Sequence, residues 1–210
     1  MKIASRLIFL FVLAVAILSH PTGAGAGGGT TNGHFKDLGA GAYFRSVDPS
    51  GCIVTEAFIF ATQHYFQSPP GRGITEPFIS LDIFQNDVCT GTQLFQASGG
   101  TTTNIDVQVD RQLNWATLSA VVPVFESISD SVLDIYVDLA WTAVGPRTNQ
   151  NDHEHIVSPG CHRMFRSNGV FRSAQASGSV SDGIMNYAPE TAMIANIFST
   201  MRGNVIVGCQ

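Results

Sequence analysis

Between Val132 and Ala143 apolar and polar residues alternate: Leu133, Ile135, Val137, Leu139 and Trp141 interleave with Asp134, Tyr136, Asp138 and Ala140. A period of two sends successive side chains to opposite faces of a strand, so one face is expected to be buried and the other wet. The expected partner runs from Trp115 to Phe125 through Leu118, Ala120 and Val122, with Ser127 to Ser131 as the intervening turn. Elsewhere turn signals recur at short intervals, and no long stretch sustains a helical period. In Val47-Asp48-Pro49-Ser50-Gly51, Pro49 presets φ for the bend and Gly51 can take the positive φ that closes it, joining strands at 40–47 and 52–64.

Ser167-Asn168-Gly169-Val170 predicts another hairpin, because Asn-Gly favours a tight primed turn. Small side chains from Ala174 to Val180 permit close approach of a neighbouring layer. Further strands are expected near 78–86, 93–98, 105–109 and 192–200. For the last, a short helix over 192–201 is the alternative, since Ala192, Met193, Ala195 and Met201 are not strand formers. About ten short strands of this kind predict an all-β fold, an antiparallel β-sandwich of unassigned topology, with a barrel as the alternative closure.

The first 33 residues depart from this pattern. Lys2 and Arg6 precede a twelve-residue apolar run, Leu7 to Leu18, and small residues follow to Ala24-Gly25-Ala26. That order is the signature of a secretory signal peptide over 1–26. The run is short of the ~20 residues that span a bilayer, so no permanent membrane anchor is expected. Residues 27–33 read as a flexible Gly-rich linker, and 34–210 as one domain. Removing 1–26 takes away Lys2 and Arg6 and no acidic residue, so formal charge moves from −5 to −7. A modestly acidic surface disfavours nucleic acid, whose phosphates call for clustered Lys and Arg. The expected location is extracellular.

An oxidising compartment changes the reading of Cys52, Cys89, Cys161 and Cys209. Four cysteines at wide spacing, with no C-x-x-C, suit two disulfides better than a zinc site. The pairing 52–89 is expected because these residues end neighbouring strands, and 161–209 follows by elimination.

The densest chemistry lies in Asn151-Asp152-His153-Glu154-His155-Ile156-Val157-Ser158-Pro159-Gly160-Cys161-His162. On a strand, His153 and His155 share a face about 6.6 Å apart, and His162 can return across Pro159-Gly160 as a third ligand for a divalent metal. The competing reading is a solvated polar strand end. Asp152 and Glu154 have the separation of a carboxylate pair on the other face, whereas Asp134 and Asp138 stand roughly 13 Å apart, too far to flank one glycosidic bond. Tyr136 offers a ring for sugar stacking. Arg163, Arg166 and Arg172 cluster near Asn168-Gly169 and suit either an anionic partner or pairing with carboxylates. The mature chain has no G-x-S-x-G, Walker loop, H-E-x-x-H or S-x-x-K. The leading expectation is therefore a non-catalytic binding or surface-interaction module that meets a glycan or another extracellular protein through its loops. An enzyme built on His153, His155 and His162, and a passive matrix protein, are the alternatives.

Overall fold

The computed structural model describes residues 30–67, 74–158 and 161–209, and among the described residues regular structure is entirely strand. The strands are β1 (Thr30–Val47), β2 (Ile53–Gln67), β3 (Ile74–Asp87), β4 (Thr92–Thr101), β5 (Ile105–Val109), β6 (Trp115–Glu126), β7 (Ser131–Ser158), β8 (Cys161–Ser181) and β9 (Ile194–Cys209). The expected signal peptide lies outside the described residues, and β1 takes up residues 30–33 of the segment read as a linker.

The expected antiparallel all-β class holds. Its facing layers are the two sides of one continuous sheet, ordered β4-β3-β2-β1-β9-β8-β7-β6-β5. Ala97, Ser98 and Gly99 of β4 also pair with Glu126, Phe125 and Val124 of β6, so the sheet closes on itself. Closure pairs the backbone of 97–99 that an open edge would leave unpaired. Gly99 makes the approach possible, because a Cβ there would stand 2.2 Å from the Pro123 carbonyl oxygen and 2.7 Å from the Val124 Cα.

Two local expectations change. Asn168-Gly169 lies inside β8 and makes no hairpin. Instead the β8–β9 register shifts between these residues, and a Cβ on Gly169 would meet the Ser199 carbonyl oxygen at 2.4 Å. The glycine serves close strand approach at an irregularity. Residues 194–209 are strand, pairing with both β1 and β8, so two-sided pairing overrides the weak local preference of Ala195, while Met201 falls at the register shift in both ladders.

The inward positions of the closed part combine large and small side chains. Ile79, Leu81, Ile83, Leu118, Ile135 and Leu139 pack with Ala57, Ala61, Ala97, Ala116 and Ala176, all buried. Trp141 is 1% exposed, and its indole N–H donates across the core to the Gly41 carbonyl at 3.0 Å. The segment 182–193 folds into one end: Tyr187 and Ala188 are buried, and Tyr187 stacks on Phe95 with centroids 5.3 Å apart. The interior is a packed core, which leaves the surface to carry function.

Chain direction sorts the connections. Turns 48–52, 88–91 and 127–130 and the segment 182–193 lie at one end, hereafter the turn end. The β5–β6 connection and the β7–β8 hairpin lie at the other.

Candidate functional site

The β7–β8 ladder positions the sequence-predicted histidines. His153 and His155 are exposed on β7, opposite Arg166 and Met164 of β8, while His162 stands opposite Val157. Directly opposed residues share a face, so register sets His153, His155 and His162 on one face, with His162 diagonal to His155. The side chain of His162 lies outside the described residues, as do those of Asp152 and Glu154. Arg166 is exposed at the position facing His153, so a cation held there would have a guanidinium beside it. Of the other arginines in the predicted cluster, Arg172 donates to the Gly145 carbonyl and to Asn114, whose amide oxygen accepts; the Arg163 side chain is outside the described residues.

Among the described residues, the group that brings three ligand-type atoms within 4.8 Å is Cys52, Asp87 and Cys89. Its sulfurs are joined in the expected Cys52–Cys89 disulfide, and Asp87 accepts the backbone N–H groups of Cys89 and Thr90, so the group is a stapled turn. The β8–β9 register places Cys161 opposite Cys209; the side chains of both lie outside the described residues.

The turn end is built on one repeated device. Asp48 accepts the N–H groups of Ser50 and Ile53, Asp87 those of Cys89 and Thr90, Glu126 those of Ile128 and Ser129, and Asp182 those of Ile184 and Met185. Each carboxylate fixes the turn it begins. Their pKa values follow. The Ser50 hydroxyl holds Asp48 below the usual carboxylate range, the Thr90 N–H does so for Asp87, and the Ser129 hydroxyl for Glu126. Burial pushes the Asp182 carboxyl up, yet the N–H groups of Met185 and Ile184 and the Tyr187 hydroxyl together bring it below normal. Burial, then the hydrogen bond to Asp182, raises the Tyr187 phenol.

These fixed turns hold apolar side chains in solvent. Val88, Ile128, Met185 and Ile184 are exposed, Ile184 at 96%. The turns are contiguous: the disulfide and the Val88 N–H to Cys52 carbonyl bond join two of them, Ser127 donates to Gln96 beside the third, and the Gln85 amide reaches the Met185 sulfur at 3.7 Å. They carry Asp48, Asp87, Glu126, Asp130, Asp182 and Glu190 and no Lys or Arg. The Asp48 turn, the turn at Ser127 to Ser131 and the Cys52–Cys89 bond were legible in the sequence but their carboxylates and apolar tips were not, although each turn opens on an acidic residue followed within three positions by small or turn-forming residues.

Other polar pairs are structural in form. His64 Nδ1 contacts Asp37, directly opposite it on β1, and its ring stacks on Phe35. The Tyr43 hydroxyl donates to Glu56; burial and then that bond push the phenol up to about 12. No spacing in the sequence links either pair, since strand register brings them together. A shallow depression of about 220 Å³ between β7, β8 and β9 is lined by Gln150, Ser167, Val170, Phe198 and Thr200 among others, with no titratable side chain in its wall. Comparison with protein-family models, curated proteins and solved structures finds no match.

Proposed function

We propose that this chain is a secreted, non-catalytic binding module that engages an extracellular protein through its turn end. The observation that carries the reading is the set of exposed apolar tips, Val88, Ile128, Ile184 and Met185, each held on a turn whose backbone is fixed by its own carboxylate. Apolar groups exposed on a backbone that is already fixed cost less ordering entropy when a partner covers them, which favours an efficient anchor. The carboxylates around them, with no Lys or Arg in the same turns, favour a partner surface that is apolar at its centre and cationic at its rim, and disfavour anionic lipid. Secretion is supported by the expected leader and is compatible with the Cys52–Cys89 bond. No helix among the described residues is long and apolar enough to cross a membrane.

The test is a photo-crosslinking group placed at Ile184 and irradiated in the native extracellular fluid. A discrete protein adduct mapping to a Lys/Arg-rich segment is expected, and it should be lost when Val88 and Ile128 are both changed to Asp. Labelling no stronger than that from the same group at Ser177, or adducts to lipid alone, would contradict the reading.

A further inference from the structure

The outward face of β5 to β8 is a different surface from the turn end. Three aromatic side chains stand on it: Trp115 is 46% exposed, Tyr136 54% and Phe125 49%. Register lines them along the strands, with Trp115 opposite Thr142, Tyr136 opposite Val121 and Phe125 opposite Val132. At ~3.4 Å per residue, Tyr136 lies about 20 Å from Trp115 and about 14 Å from Phe125 along the strand direction. Between Trp115 and Tyr136 a polar row, Asp106, Ser119, Asp138 and Ser179, crosses four strands side by side. Residues 105–109, 115–126, 131–142 and 173–181 contain no Lys, Arg or His.

We infer that this face binds an extended, uncharged polysaccharide. Aromatic faces accept the apolar C–H side of a sugar ring, while carboxylates and hydroxyls take up sugar hydroxyls as hydrogen-bond acceptors and donors. Rings spaced along one line, with short polar side chains between them, suit a linear chain of sugars lying along the strands. A protein partner would need its anchors clustered in a desolvated centre, and here they are spread over more than 30 Å, roughly the sum of the two spacings above. Within these stretches carboxylates without cations disfavour anionic glycans and nucleic acid, and Arg172, which borders them beside Trp115, already donates to the Gly145 carbonyl and the Asn114 amide oxygen. This inference does not rest on the turn-end reading, and either can fail alone.

Tryptophan emission isolates the site, because Trp141 is buried with its N–H bonded to Gly41 and only Trp115 faces solvent. The intact oxidised protein would be titrated with hydroxyethylcellulose, galactomannan, laminarin and the fully N-acetylated chitin hexamer, with heparin as the anionic control. A saturable shift of emission is expected with at least one neutral glycan and none with heparin. Tyr136→Ala should weaken that binding at least tenfold while leaving the melting temperature unchanged, and Trp115→Ala should do the same by affinity electrophoresis. If Trp115→Ala does not fold, Tyr136→Ala alone decides. No saturable shift with any neutral glycan, a response to heparin, or undiminished affinity in Tyr136→Ala overturns the inference.

Discussion

Asp48, Asp87, Glu126 and Asp182 each spend their lone pairs on the backbone N–H groups of the turn they open, and Asp110 does the same for Gln112 and Asn114 in the β5–β6 connection. Protonation would remove these bonds from the folded state alone. All five carboxyls are held below their ordinary values in the folded protein. A depressed folded pKa contributes stability that is complete above the unfolded value, about 4, and is lost as pH falls through the lower folded value. The urea midpoint is therefore expected to hold between pH 7 and 5 and to fall steadily below about pH 4. In Asp182→Asn the acid limb should be shallower. A midpoint that stays level from pH 5 to 2 would contradict this account of the turns.

At the scale of the element, the Cys52–Cys89 bond ties the β1–β2 turn to the β3–β4 turn over a sequence separation of 37. The chain-entropy model assigns such a loop about 3–4 kcal/mol. The double change Cys52→Ala and Cys89→Ala should lower unfolding free energy by roughly that amount in denaturant titrations, whereas a loss under about 1 kcal/mol would mean the turns are held by their carboxylates alone. This pair was legible because its residues end strands that neighbour in sequence. The β6–β7 hairpin was legible for a related reason: alternation from Leu133 to Trp141 records the face that both strands turn to the core. Asn168-Gly169 misled because a glycine needed for close strand approach looks the same in sequence as one needed for a turn. The β4–β6 pairing left no local mark. Gly99 and Val124 meet only after eight strands have curled, and no period along the chain encodes that. One of the three aromatics on the outer face was legible in the same way: Tyr136 stands out from its strand, but register alone sets Trp115 and Phe125 on its side of the sheet.

For the whole molecule, closure and a filled interior direct both proposals to the outside, with an acidic, apolar-tipped end and an aromatic flank as separate surfaces on one support. Both depend on β4 reaching β6, since that pairing holds the β6–β7 turn beside β4 and fixes the orientation of Phe125. Amide hydrogen exchange resolved by residue reads this pairing directly. The amides that join residues 97–99 to 124–126 should exchange as slowly as those in the centre of the β6–β7 ladder, through global opening. Exchange there as fast as in the exposed turn at 102–104 would mean that the sheet is open and that the arrangement of both surfaces is wrong.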